Sequence, residues 1–449
     1  MARRILIIGA NAAGLEAASS ARKTDRDAEI TLVTDEPHLA YSRCGLPYVL
    51  AGEIPSFQDL IVFPPSYYKM MRLDVRTETH AVSINPRERK VELKSADGVE
   101  LVDYDSLILA TGANPFTPPI RGIEKRGVFT LRTLEDGMRI KEAMEDAEKA
   151  AIIGAGFIGI EMAHAFREHG IETTMVELLP HILPAALDRD MAQVAQRALE
   201  ENGVRVLTGT GVEEILGGEK AEGVLAGGTR IEADIIILST GTRPNTELAR
   251  QAGAEIGPTR GIKVNPRMMT SIPDIYAAGD CAESYSLLNG QPTLSQLGTT
   301  AVRMGRVAGI NAAGGYSTFP GVLSSAVTKA FEMEIGSTGL TEAQAQRLGL
   351  RTASGTVTSK TRARYYPGGK DIRVKIIAEP DSGRIMGCQI IGGEEVTQRI
   401  NAASIAIQKG MTVWELAKSD TCYAPPVNET WEALALASEN AARRLREQR

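Results

Sequence analysis

The sequence predicts an α/β protein, with two parallel-sheet nucleotide-binding halves followed by a smaller α+β domain. Three observations carry this. Strand–glycine-loop–helix starts occur twice, at Gly9 and at Gly154. Two later apolar strands end in small-residue turns, Ala110-Thr111-Gly112 and Thr240-Gly241-Thr242. Beyond about residue 325 the pattern changes to hairpin strands flanking a turn at Asp381-Ser382-Gly383, a helix from about Val396 to Gln408 and a C-terminal helix from about Asn428. A chain of 449 residues is long enough for about three such units. Its composition, 43% hydrophobic and 24% charged, is that of a folded globular protein and excludes a disordered one. A net charge of −6 argues against nucleic acid as a partner. There is no run of about 18 uncharged apolar residues, so a membrane-spanning chain is not expected. The apolar run 5–8 is too short for a secretory signal, so a cytoplasmic location is expected.

The first start is Ile5-Leu6-Ile7-Ile8, a continuous apolar strand, running into Gly9-Ala10-Asn11-Ala12-Ala13-Gly14 and a helix pattern through Arg22. The next strand, Ile30-Thr31-Leu32-Val33, ends at Thr34-Asp35-Glu36, an acid about 20 residues beyond the last glycine. In such a unit the glycines let the backbone approach a pyrophosphate at a helix N-terminus, and the acid takes the ribose hydroxyls. Asn11 stands where a second glycine is expected, and an ordinary tight turn is the alternative. The second start is complete. Ala150-Ala151-Ile152-Ile153 leads into Gly154-Ala155-Gly156-Phe157-Ile158-Gly159, and the following strand ends at Glu177. Glu177 would accept from a free 2′-hydroxyl and repel a 2′-phosphate, which favours NADH over NADPH. Two such sites mean two dinucleotides, most economically FAD and NAD(H).

Three further segments complete a pattern: Leu107-Ile108-Leu109-Ala110-Thr111-Gly112-Ala113, the similar run from Ile235 to Asn245, and Ile275-Tyr276-Ala277-Ala278-Gly279-Asp280-Cys281. Together they resemble the signatures of the flavoprotein pyridine nucleotide-disulfide reductases, over residues 1 to about 315. The resemblance implies two Rossmann-like dinucleotide-binding domains and a C-terminal α+β dimerisation domain. The FAD domain would be discontinuous, 1–113 and 246–325. The NAD(P)H domain would span 114–245, and the dimerisation domain 326–449. Ala110, Thr111, Gly112 and Gly241 would close the domains. Asp280, after Gly279, would bind the flavin ribityl chain, and Val82, Leu297, Gly298 and Thr299 are implied as further cofactor contacts. Glu161 would lie near the nicotinamide; the alternative is a first-turn acid favoured by the helix dipole.

Cys44, Cys281, Cys388 and Cys422 are scattered and form no CxxC pair, so neither a structural metal nor a vicinal dithiol is expected. Cys44 differs from the others. It stands just beyond the first ribose-binding acid, at the start of the next helix, with Arg43 beside it. A helix N-terminus and a neighbouring cation both lower a thiol pKa, and a thiolate beside a flavin can attack a disulfide. Position 49 is Val, where a dithiol enzyme would carry a second cysteine. The segment Ser42-Arg43-Cys44-Gly45-Leu46-Pro47-Tyr48 therefore resembles the single-cysteine branch of the family. That branch contains coenzyme A disulfide reductases, persulfide and polysulfide reductases, NADH oxidases and NADH peroxidases. Tyr365-Tyr366-Pro367-Gly368 and Tyr423-Ala424-Pro425-Pro426 resemble the coenzyme A disulfide reductase subgroup, where C-terminal tyrosines reach the partner subunit's active site. Tyr423 and either Tyr365 or Tyr366 are thus implied as catalytic, in a homodimer.

The sequence departs from the family pattern in places. Peroxidases and many oxidases of the branch carry histidine at the position of Ala12, so peroxide chemistry has no obvious carrier. The usual FAD ribose acid falls at Thr34, leaving Asp35 or Glu36 to serve. Ser42, Arg22 and Lys23, with Arg43, are candidates to bind a substrate such as coenzyme A; for the basic three, the alternative is a solvated charge. The expected activity is reduction of a small disulfide or persulfide by NAD(P)H through FAD and Cys44. The rivals are an NADH oxidase reducing O₂, a rubredoxin- or ferredoxin-type reductase in which Cys44 is idle, and a flavin redox sensor.

Overall fold

The computed structural model describes residues 2–447. Its first sheet is parallel, in the order Ile275–Ala277, Ser106–Leu109, Arg4–Ile8, Glu29–Val33, Leu73–Arg76. The central strand is covered on both faces, so it reads as an unbroken apolar run rather than an alternation. Helix Ala12–Thr24 follows it. Helix Gly298–Ala312, from nearly 290 residues later, lies against that helix. The approach is close enough that a Cβ on Gly305 would fall 2.2 Å from the Ala13 carbonyl oxygen. A distant segment thus completes the first nucleotide-binding half.

The second sheet is also parallel, in the order Val204–Leu207, Glu172–Val176, Lys149–Ile153, Ile235–Leu238, Val128–Phe129. The chain passes between the halves through an antiparallel pair, Ala113–Pro115 with Thr242–Pro244. The C-terminal sheet is antiparallel, in the order Ala326–Ala330, Met333–Gly339, Ile385–Gly392, Asp371–Ala378, Ala353–Lys360. Helices Val396–Gln408 and Ala433–Glu447 pack on it. The α/β class and the hairpin around Asp381-Ser382-Gly383 agree with the sequence reading.

The final helix begins at Ala433, not near Asn428. The cause is Arg399, a cation held from the preceding helix. Its guanidinium bonds both carboxylate oxygens of Glu432, at 2.8 and 3.1 Å, and Asn428 Oδ1 at 3.0 Å. Asn428 also donates to the Cys422 carbonyl, so the segment is held as a turn.

Candidate active site

Gly9 leaves its strand at φ +107°, and a Cβ there would fall 2.1 Å from the Ala110 carbonyl oxygen. Only glycine lets the two strand ends meet so closely at the mouth of the sheet. Asn11, in place of the expected glycine, caps helix Ala12–Thr24, its Oδ1 accepting from Ala12 N at 2.8 Å. These strand ends open into a cleft of about 1070 Å³. Asn11, Ala12 and Ala13 line it on the helix side; Ala110, Thr111 and Gly112 line the adjoining turn. Thr34, Asp35, Glu36 and Val82 line one end; Gly279, Asp280 and Gly298 line another wall. Gly14 lies under the loop, Leu297 caps helix Gly298–Ala312, and Thr299 faces a separate small cavity.

Cys44 lines the same cleft with Ser42 and Arg43, in a short 3-10 turn ahead of helix Leu46–Leu50. Its sulfur opens to the cleft, while protein crowds it on the other sides. Burial raises the thiol pKa above its ordinary value. The charges of Glu161 and Asp280 raise it further, and Arg132 opposes them. This differs from the lowered thiol expected beside Arg43. The Arg43 guanidinium is turned to Glu36, whose carboxylate also accepts from the Tyr41 hydroxyl. Glu36 is therefore spent on Arg43 and Tyr41, and Asp35 is left exposed at that end of the cleft.

Arg22 has a different task from the one expected. It is 8% exposed, and its guanidinium donates to four backbone carbonyls, those of Arg26, Ala28, Met71 and Arg72, at 2.7–2.9 Å. It staples the end of its helix to a neighbouring loop and is not free to meet a phosphate. It also lies beyond Ser19, the last residue of that helix to line the cleft. Lys23 is exposed beside it, away from the cleft.

Arg132 escaped the sequence reading. It lines the cleft, bonds Asp280 at 3.4 Å, and keeps a buried Nε without a hydrogen-bond partner among the described residues. A local signal was present: Arg132 immediately precedes the Thr133–Asp136 capping box of helix Leu134–Met144. A buried, unpartnered guanidinium N–H in a long cleft ahead of a glycine loop fits an anionic dinucleotide. The residues present therefore fit FAD. Arg132→Met is expected to weaken FAD retention roughly tenfold to a hundredfold, the worth of one charge-assisted hydrogen bond. FAD bound per chain after gel filtration, against free FAD added back, measures it.

The second loop is built alike. Gly154 N donates to the Val176 carbonyl at 2.8 Å, Gly156 caps helix Phe157–Glu168, and Gly159 packs beneath. Phe157 and Ile158 open that helix, and Gly241 turns at the end of the fourth strand. Glu177 is buried; its carboxylate accepts from Ala155 N at 2.7 Å and Leu179 N at 2.8 Å. It braces the glycine loop from the position expected for a ribose contact, so these residues fit NAD(H).

Glu161 lies just past the first turn of that helix, not in it as the first-turn alternative required, and accepts from Thr328 Oγ1 at 2.5 Å. Burial pushes its carboxyl up to about 7, and the Thr328 hydrogen bond works against the shift. Tyr48, one helical turn beyond Cys44, donates to the Lys329 carbonyl at 3.4 Å. Strand Ala326–Ala330 of the C-terminal sheet thus touches both the Cys44 helix and the Glu161 helix. Far along the same domain, the Tyr365 and Tyr423 hydroxyls are 2.8 Å apart, with both rings exposed; Tyr366 is also exposed.

Two strand-ended dinucleotide cradles, with one thiol in the wall of the first cradle's cleft, define a flavin-dependent pyridine nucleotide oxidoreductase. Comparison with known proteins gives the family. The pyridine nucleotide-disulphide oxidoreductase model matches residues 3–305, and the dimerisation domain of the same family matches 325–435. The chain belongs to this family, whose cofactors are FAD and NAD(P)H. It is 47% identical to an NADH oxidase of Methanocaldococcus jannaschii, over 98% of this chain and 99% of that one. It is 34% identical to a CoA-dependent NAD(P)H sulfur oxidoreductase of Pyrococcus abyssi, over 97% of each. The solved NAD-dependent persulfide reductase from A. fulgidus superposes with a TM-score of 0.97 at 39% identity, covering 99% of this chain and 84% of that one. Among the described residues, no helix is long and apolar enough to cross a membrane.

Proposed function

We propose that this enzyme reduces small disulfides or persulfides with NAD(P)H, through FAD and Cys44. Coenzyme A disulfide, coenzyme A or glutathione persulfide, and polysulfide are the leading substrates. The observation that carries this is the lone thiol of Cys44 in the wall of the flavin-sized cleft. Of the other cysteines, Cys281 and Cys388 are buried, and Cys422 lies in a C-terminal turn outside the cleft.

The residues have these roles. The Cys44 thiolate attacks one sulfur of R–S–S–R′; a bond forms to Cys44, the S–S bond breaks, and R′S⁻ leaves. FAD, when bound, would supply two-electron transfer from the NAD(P)H hydride. Two-electron reduction of the Cys44 mixed disulfide breaks its S–S bond, releasing RS⁻ and restoring the thiolate. The balance is NADH + H⁺ + RSSR′ → NAD⁺ + RSH + R′SH. Arg132 and the Gly9 loop hold the dinucleotide phosphates, Asp280 the ribityl chain, and Glu177 the NAD(H) loop and ribose. Glu161 sits where it can hold a proton near neutral pH. Tyr423, with Tyr365 or Tyr366, reaches the partner subunit's site in a homodimer and protonates the leaving sulfur. The division at 113, 245 and 325 sets the three domains, and the enzyme works in the cytoplasm.

The test is anaerobic NADH oxidation with coenzyme A disulfide, persulfide or polysulfide, and a rubredoxin-like carrier as separate acceptors, with an aerobic control. Turnover with a sulfur acceptor supports the reading; turnover with oxygen or the carrier alone sinks it. The second reading, an NADH oxidase, is favoured by the Methanocaldococcus jannaschii relative of that name. Against it, Ala12 at the head of the cleft helix offers no acid or base for oxygen chemistry.

Charge coupling gives a pH prediction. Ionised Glu161 raises the Cys44 thiol, so the two groups compete for one negative charge. Glu161→Gln removes that opposition. Cys44 alkylation by iodoacetamide, followed by peptide mass spectrometry, is expected to be roughly threefold to tenfold faster at pH 7.5. The step near pH 7 in the wild-type alkylation profile should vanish.

A further inference from the structure

His164 lies one turn beyond Glu161 on helix Phe157–Glu168 and is 6% exposed. Both its nitrogens are engaged by other parts of the fold. Phe331 N–H donates to Nδ1 at 3.3 Å, so Nδ1 is an acceptor and the ring proton is on Nε2. Nε2–H then donates to Glu53 Oε1 at 2.8 Å. Glu53 lies just past the Cys44 helix, and its carboxylate fixes the tautomer, as a carboxylate behind an imidazole does. Phe331 sits at the turn between strands Ala326–Ala330 and Met333–Gly339, at φ +56°, its ring edge-on to the imidazole at 4.8 Å. The same helix grips the Cys44 helix again where His169 Nε2 meets the Leu50 carbonyl at 2.8 Å.

We infer that His164 is a positioning residue: the chain Glu53–His164–Phe331 N–H fixes the hairpin that aims Thr328 at Glu161 and the Lys329 carbonyl at Tyr48. The inference rests on the reading that Cys44 and Glu161 work on one site. The hairpin belongs to the C-terminal domain, while Glu161 and Cys44 stand on the two dinucleotide halves. One imidazole, touching all three, sets their register. The charged groups facing the ring are Glu53 and Glu168, the latter at 3.7 Å; Cys44 and Tyr48 face Glu161.

The test uses FAD-loaded full-length enzyme and the pH profile of Cys44 alkylation, which needs no knowledge of the acceptor. His164→Leu is expected to shift or abolish the Glu161-dependent step near pH 7 and to change the rate at pH 7.5 at least threefold. His164→Asn places an acceptor where Nδ1 stood and should restore the step, with the rate within twofold of wild type. His164→Gln reaches the Nε2 position only and should behave like the leucine variant. If the leucine variant does not accumulate with FAD, the asparagine and glutamine variants decide: asparagine like wild type with glutamine shifted supports the inference, and any other pattern overturns it. A wild-type profile in His164→Leu also overturns it. Failure of the sulfur-reductase reading shows separately, as NADH turnover with oxygen or the carrier and none with a sulfur acceptor.

Discussion

Cys44→Ser is expected to lower NADH-dependent turnover with a sulfur acceptor by at least about a thousandfold, the scale seen when a covalent nucleophile is removed. Serine keeps the size and hydrogen bonding of the side chain. Its hydroxyl is far less acidic than a thiol, so the attacking anion is lost. The variant should bind FAD normally, because Cys44 contributes to the cleft wall and is not one of the residues, the Gly9 loop and Arg132, proposed to hold the dinucleotide phosphates. Reduction of the bound flavin by NADH should stay within a few-fold of wild type. The two half-reactions therefore separate: stopped-flow reduction by NADH survives, and reoxidation by coenzyme A disulfide or polysulfide does not. Retained sulfur turnover would remove Cys44 from the mechanism and make the carrier-reductase or oxidase readings the ones to pursue.

The raised thiol sharpens the same experiment. Burial and the charges of Glu161 and Asp280 hold the wild-type thiol above its ordinary value, so the thiolate fraction grows as pH rises. Sulfur-acceptor turnover should therefore climb on the alkaline side of neutrality, and no such limb should remain in Cys44→Ser.

The parts of this molecule that were legible in the sequence are those encoded over short stretches. The strand runs at Ile5 and Ala150, the glycine loops behind them and the acids ending the next strands fall within about 30 residues. The single cysteine without a mate at position 49 is equally local. What the sequence hid comes from side-chain pairings, most of them between residues far apart in the chain. Arg22 looked like a solvent-facing cation, but the carbonyls of Met71 and Arg72 enclose it from nearly 50 residues away. Arg43 looked like a thiol activator, but Glu36, itself held by the Tyr41 hydroxyl, draws its guanidinium aside. Arg132 reaches the cleft only because its strand-to-helix junction folds back on Asp280, 148 positions later. The last helix starts late because Arg399 captures Asn428 and Glu432. In each case a charged side chain took a partner that no local pattern could name.

Lys375→Met is expected to destabilise the enzyme by roughly 3–5 kcal/mol, the cost of leaving a buried charge without its partner. Lys375 is 3% exposed, on strand Asp371–Ala378 of the C-terminal sheet. Its ammonium lies 3.1 Å from Asp188, 2.8 Å from Asp190 and 2.7 Å from Glu342. Burial alone would lower its pKa, but the three carboxylates outweigh that and leave it raised. Asp188 is also buried, and donors from Gln389 Nε2 and Glu342 N fix its position without neutralising it. Asp188 and Asp190 belong to the half built on the second parallel sheet; Lys375, Gln389 and Glu342 belong to the C-terminal domain. Without the cation, the carboxylates of Asp188, Asp190 and Glu342 lose their shared counter-charge at this joint. Adding Asp188→Asn to Lys375→Met should therefore recover most of the loss, because the amide removes the stranded charge while its oxygen still accepts. Denaturant unfolding of the FAD-loaded single and double variants checks this, and equal destabilisation of both would show that packing, not charge, holds the joint. The joint also has a kinetic consequence. The same domain presents Thr328 to Glu161, so loosening it should slow flavin reduction by NADH more than it weakens NADH binding.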